Sequence, residues 1–122
     1  MRTLAVFLAA FGLLSEIFAS TMADAHRGRK TFEKMCTGCH ALDHPKVGPP
    51  LRNVFGRPAG KDTQFSYSDA IKGASVTWDE TTLDRWLADT ESVVPGNDMS
   101  FRLNDASIRA DIIAYLKHLS GR

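Results

Sequence analysis

Five consecutive residues of this 122-residue chain combine two thiols and an imidazole at spacings that allow joint chemistry: Cys36-Thr37-Gly38-Cys39-His40. On a helical turn, positions three and four apart share a face, so Cys36, Cys39 and His40 project together. Two thiols so placed can add across two vinyl groups as thioethers while the histidine ligates an iron, which is the pattern of covalent haem attachment. A bare Cys-x-x-Cys pair also serves zinc sites and redox dithiols. A structural zinc site takes four nitrogen or sulfur ligands, commonly with a second Cys/His pair. Cys36 and Cys39 are the only cysteines, and His26, His44 and His118 are scattered. The balance favours haem, with a redox dithiol as the main alternative.

The ligand opposite His40 decides between a closed electron-transfer site and an open one that binds a gas or peroxide. Of the four methionines, Met35 adjoins Cys36 and cannot reach the opposite face, while Met1 and Met22 fall in an N-terminal leader. Met99 follows a Pro-Gly turn in Pro95-Gly96-Asn97-Asp98-Met99-Ser100-Phe101, far along the chain from His40. A methionine in an arbitrary helix would be core packing. Met99, placed in a turn between helices, is the expected sixth ligand.

The leader supports the cofactor. Met1 and Arg2 precede the apolar run Leu4 to Leu14, and small residues follow at Ala19, Ser20, Ala23 and Ala25. This is the pattern of a secretory signal peptide over residues 1–23, with cleavage as late as residue 25. The apolar run is too short for a membrane span of about 20 residues, and Glu16 interrupts it, although an uncleaved anchor is the alternative. Removal leaves 24–122 as one domain of 14 Lys and Arg against 13 Asp and Glu, a net +1. Two ionised haem propionates would bring this to about −1. The charge gives no reason to expect a nucleic-acid partner. A domain this small buries little core on its own, and a covalent haem would supply an apolar centre.

Several helices must position these groups. A helical pattern from about Ala25 runs into the haem motif, with Gly28 suited to close approach by another helix. From Ala41 to Phe65, Gly and Pro recur at Pro45, Gly48, Pro49, Pro50, Gly56, Pro58 and Gly60, which predicts an irregular wrap. Ser68 to Lys72 reads as a short helix ended by Gly73. Thr77 as N-cap and Glu80 at N3 form a capping box for a helix through Leu83, Trp86 and Leu87 to about Asp89. Asn104 or Asp105 starts the last helix, with Ile108, Ile112, Tyr115, Leu116 and Leu119 at helical spacing and Gly121 beyond. The expected fold class is all-α.

From about Gly28 to Leu119 these residues resemble the small soluble class I cytochromes c of the mitochondrial and alphaproteobacterial type. The segments that carry the likeness are the haem motif, Val47-Gly48-Pro49-Pro50-Leu51, Val54-Phe55-Gly56-Arg57, Phe65-Ser66-Tyr67-Ser68-Asp69-Ala70, Thr77-Trp78, Pro95-Gly96 with Met99, and Ala114-Tyr115-Leu116-Lys117. The resemblance implies the cytochrome c fold, with helices and irregular loops around one covalently bound haem c. It implies that Gly28 and Phe32 pack against Ile112 and Tyr115. It implies that the Pro49 carbonyl accepts a hydrogen bond from His40, and that Arg57, Tyr67 and Trp78 hold haem propionates; read alone, these three would be a surface arginine and two core aromatics. Asn97 stands where a threonine commonly contacts a propionate, and Asp98 replaces a common lysine. Trp86 replaces a tyrosine near the methionine sulfur, and Ile71 replaces an asparagine beside a buried water.

The implied function is a monomeric periplasmic one-electron carrier and not an enzyme. Lys30, Lys34, Lys46, Lys61 and Lys72 would ring an exposed haem edge near Cys36 and Cys39, although each could equally be plain solvated charge. In relatives such lysines attract acidic surfaces on a quinol-cytochrome c reductase and on a terminal oxidase or photosynthetic reaction centre. Two alternatives stand beside this: an electron acceptor dedicated to one periplasmic dehydrogenase, and a haem sensor or peroxidase with a labile Met99.

Overall fold

The computed structural model describes residues 22–122. Its helices are α1 Ala25–Met35, α2 Asp69–Lys72, α3 Glu80–Ala88, α4 Thr90–Val93 and α5 Ala106–Leu119. Among the described residues there is no strand, only a single antiparallel bridge between Pro58 and Thr77. The all-α expectation holds, as does the irregular course from Ala41 to Phe65. No helix among these residues is long and apolar enough to cross a membrane. Of the expected leader, residues 1–21 lie outside the described residues.

α1 and α5 cross at Gly28. A Cβ there would lie 1.8 Å from the Asp111 carbonyl oxygen and 3.0 Å from Tyr115 Cβ, so only glycine lets the two backbones meet this closely. One turn on, the Phe32 ring meets Tyr115 edge-on, centroids 5.4 Å apart. Ile112 is buried, 1 % exposed. The crossing is also pinned by Asp111, whose carboxylate accepts from the Asp24 amide at 2.7 Å and from Arg27 Nε and Nη2 at 2.8 and 2.9 Å. The Arg27 hydrogen bonds hold the Asp111 carboxyl below its ordinary range against the opposing effect of burial.

α3 begins two residues later than the Thr77/Glu80 pattern implies. The N-cap is Asp79, whose side chain accepts from the Thr82 amide at 2.8 Å while the Thr82 hydroxyl accepts from the Asp79 amide at 2.8 Å. The cause is long-range pairing. Ala59 donates to the Val76 carbonyl at 2.7 Å, Trp78 to that of Arg57 at 3.0 Å, and Gly56 to that of Trp78 at 2.6 Å. Residues 76–78 are thereby held extended against 56–59 and cannot open a helix. Asp89, which ends α3, also caps α4, a single turn before Pro95 that the sequence pattern did not indicate. α2 has Ser68 and Gly73 as its caps, as expected, and Asp105 rather than Asn104 caps α5.

The core lies between these pieces. The Trp78 and Trp86 rings meet at a tilt of 53° with centroids 5.1 Å apart, in one apolar cluster with Leu83, Leu87, Ile113 and Leu116 of α3 and α5. Arg109 ties α5 to α3 through Asp84 at 2.7 Å and to the Leu103 carbonyl at 2.8 Å.

Candidate haem site

The turn after α1 presents the motif. His40 donates its amide to the Cys36 carbonyl at 2.9 Å and Cys39 to the same carbonyl at 3.2 Å, so the helical turn expected from the spacing is formed. The following chain folds back beside it: Gly48 donates to the Cys39 carbonyl at 2.8 Å, Leu51 to Ala41 and Arg52 to Leu42, each at 3.1 Å. This return places the 48–50 backbone on the His40 ring.

His40 is 8 % exposed, and its Nδ1 lies 2.8 Å from the Pro49 carbonyl oxygen. A carbonyl only accepts, so Nδ1 carries the proton and Nε2 keeps a lone pair. Burial lowers the imidazole pKa, the Pro49 hydrogen bond opposes it, and the charge of Lys46 adds to the lowering. The ring is therefore held neutral and in one tautomer, the form that ligates a metal. Gly48 lies flat against it. A Cβ on Gly48 would come within 2.3 Å of His40 Cε1, so the cradle excludes every side chain there.

Cys36 is half-buried, Cys39 is exposed, and both thiols are free. Burial pushes the Cys36 thiol up to about 11, with a further contribution from Cys39. A redox dithiol needs the reverse, an attacking thiol of lowered pKa. Among the described residues no group of three or more His, Cys, Asp and Glu is arranged to hold a metal ion. The raised Cys36 thiol gives a redox dithiol no support.

Arg57, Tyr67 and Trp78 form a second group, joined by a residue that the motif reading did not single out. Asp62 accepts from Arg57 Nη1 at 3.1 Å, and its amide donates to the Tyr67 hydroxyl at 3.3 Å. Arg57 Nη2 points to the Pro50 carbonyl at 3.4 Å, which connects this group to the His40 side. Trp78 is buried and pairs through its backbone with Arg57. Burial raises the Tyr67 hydroxyl pKa, so it stays a neutral donor. Arg57 Nε is buried with no acceptor. A buried cationic N–H short of a partner suits a carboxylate, as a haem propionate would provide. The neutral His40 beside two thiols, the glycine cradle and the orphaned Arg57 Nε all fit a haem.

Met99 belongs to a third group, to which no hydrogen bond from the other two runs among the described residues. Met99 is exposed, and Asn97 Oδ1 accepts from its amide at 2.9 Å and from that of Ser100 at 3.2 Å. Asn97 Nδ2 donates to the Val94 carbonyl at 2.9 Å and faces Glu91 Oε2 at 3.5 Å. Asn97, expected beside a propionate, thus has its amide engaged within its own loop. Neither Asp62 nor Glu91 has a distinguishing spacing, and both are recognisable only by what the folded chain brings to them.

A profile of the family described as cytochrome c matches residues 25–120. The chain is similar to cytochrome c2 of Rhodomicrobium vannielii, 37 % identical over 126 residues and covering all of both chains. It is similar to cytochrome c2 iso-2 of Magnetospirillum fulvum, 46 % identical over 88 residues, 70 % of this chain and 92 % of that one. Among solved structures, cytochrome cH from Methylobacterium extorquens superposes with a TM-score of 0.75 at 42 % identity, covering 79 % of this chain and 99 % of the other. The chain therefore belongs to the cytochrome c family and, through Cys36-x-x-Cys39-His40, carries one covalently bound haem c.

Proposed function

We propose that this protein is a soluble periplasmic one-electron carrier in which Cys36 and Cys39 hold the haem as thioethers and His40 and Met99 are its axial ligands. When bound, the haem supplies a ferrous/ferric couple. The observation that carries the reading is His40: a buried, neutral imidazole fixed by Pro49 with Nε2 free, on the turn that bears both thiols. The Pro49 carbonyl orients the ring and strengthens it as a donor. Arg57, Tyr67 and Trp78 line the propionate side, and the unpartnered Arg57 Nε supports a carboxylate there. Asn97 acts through the loop it braces.

We extend the proposal to processing and partners. A signal peptide over 1–23 fits the caps of α1, because cleavage after Ala25 would remove Asp24, the N-cap that accepts from the Arg27 amide and donates to Asp111. N-terminal sequencing of the exported protein should begin at Asp24; a start beyond residue 25 would refute this. The partners are a quinol-cytochrome c reductase or a periplasmic dehydrogenase on one side and an oxidase or reaction centre on the other. Lys30, Lys34, Lys46, Lys61 and Lys72 provide the electrostatic part of docking, so reduction by the partner should slow with salt.

The deciding experiment is the ferric absorption spectrum of the exported holoprotein in the weak long-wavelength band that reports methionine sulfur on iron. The band should be present in the wild type and absent in Met99→Ala. A wild type that lacks it and binds carbon monoxide readily when reduced would replace the carrier reading with a sensor or peroxidase.

A further inference from the structure

The chain from Thr90 to Phe101 is a closed loop held chiefly by side chains. At its base Thr90, 1 % exposed, donates its amide to the Phe101 carbonyl at 3.2 Å and accepts the Phe101 amide on its hydroxyl at 3.0 Å. Within the loop, no backbone-to-backbone hydrogen bond reaches residues 98–100 among the described residues. The Met99 and Ser100 amides are held instead by one buried side chain, Asn97, whose Oδ1 accepts from both. Ser100 has φ +46, a left-handed conformation that a non-glycine residue keeps only when its surroundings impose it.

Asn97 is itself oriented. Its Nδ2 donates to the Val94 carbonyl at 2.9 Å and lies 3.5 Å from Glu91 Oε2, while Glu91 Oε1 accepts the Gly96 amide at 2.9 Å. The carboxylate on one side and the carbonyl on the other distinguish the two ends of the amide, so Oδ1 must face Met99. We infer that Glu91 and Asn97 are positioning residues that hold Met99 against displacement from iron by competing ligands. This rests on the reading of Met99 as the sixth ligand. The physical reason is that a thioether is a weak, uncharged ligand, so its retention depends on how little its backbone can move away. Two hydrogen bonds accepted by one buried side-chain oxygen supply that restraint where no helix or strand does.

The test is imidazole titration of the ferric holoprotein, read with the long-wavelength methionine band and with Tm. Asn97→Leu removes both acceptor contacts and should raise imidazole affinity by about tenfold or more, with the band weakened. Asn97→Asp keeps the two acceptor contacts but loses the donor to Val94 and faces Glu91 with like charge. It should fall between wild type and Asn97→Leu, and it serves if the leucine variant does not fold. Glu91→Gln should give a smaller increase. Asp111→Asn is the control, since it lowers Tm from the α1/α5 crossing without touching this loop and should leave imidazole affinity unchanged. Wild-type affinity in both Asn97 variants would overturn the inference, as would an equal rise in the control at matched loss of Tm. A wild type lacking the band would overturn the Met99 reading and the inference with it; a wild type with the band and unresponsive Asn97 variants overturns the inference alone.

Discussion

Trp86 and Ile71 sit where the resemblance leads one to expect a tyrosine and an asparagine, and the structure surrounds both with apolar groups. Trp86 is buried against Trp78, and Ile71 packs partly buried against the same core. An indole can donate but not accept, and an isoleucine can do neither. Fewer polar partners disfavour the more charged ferric state, so the potential should lie above that of relatives with the polar pair. Ile71→Asn and Trp86→Tyr should each lower it, by on the order of 40 mV for a restored hydrogen bond of about 1 kcal/mol; potentiometry showing no change or a rise would refute this. A second expectation concerns alkaline pH. No lysine lies between Lys72 and Lys117, and Lys117 is engaged with Glu80 at 2.7 Å and lies over the Phe55 ring. Deprotonated lysine is then poorly placed to replace Met99, and the methionine band should persist well into the alkaline range. Its loss at ordinary alkaline pH, abolished by Lys72→Ala, would show that Lys72 reaches the iron after all.

Helix boundaries show which local signals survive folding. Ser68 and Gly73 cap α2 as their residue types suggest, and of the two candidates for α5 it is Asp105 whose side chain accepts the Ser107 and Ile108 amides. Thr77 loses its place to Asp79, because residues 76–78 are drawn into pairing with 56–59, a contact that no window along the chain contains. The α1/α5 crossing makes the sharpest prediction for an element. Gly28→Ala would ordinarily favour a helix by about 1 kcal/mol, yet here the new Cβ would sit 1.8 Å from the Asp111 carbonyl. The helices must separate, loosening Phe32 and Tyr115, and the net cost should reach about 2 kcal/mol or more. Thermal unfolding of the holoprotein checks this, and an unchanged or raised Tm would mean that the crossing yields without penalty.

For the molecule as a whole, the carboxylates make stability fall on the acid side. Asp24, Asp43, Asp79, Asp105 and Asp111 all titrate below their ordinary value of 3.8 in the folded chain. The largest causes are the Arg27 amide for Asp24, the Arg52 side chain for Asp43, the Thr82 amide for Asp79, the Ser107 hydroxyl for Asp105 and the Arg27 side chain for Asp111. A depressed folded pKa contributes stability that is present above the unfolded value and lost as pH falls through the folded one. Tm should therefore hold near neutrality and fall below about pH 4. Asp111→Asn should lower Tm at pH 7 and flatten part of the acid limb, as calorimetry across pH would show; an unaltered limb would remove Asp111 from the account. Much of this protein was legible in order along the chain. The thiols and imidazole of the motif, the all-helical class, the placement of Met99 after a Pro-Gly turn and the need for glycine at position 28 all follow from residue type and short spacing, because local chemistry and helical period depend on near neighbours. The Pro49 bond to His40 came with the resemblance; what folding alone settled are other contacts between distant segments: Gly48 against the His40 ring, Asp62 joining Arg57 to Tyr67, Asp111 pinning the helix crossing, and Glu91 bracing Asn97. Each depends on two pieces of backbone arriving together, and no residue type or spacing records where a remote partner will stand.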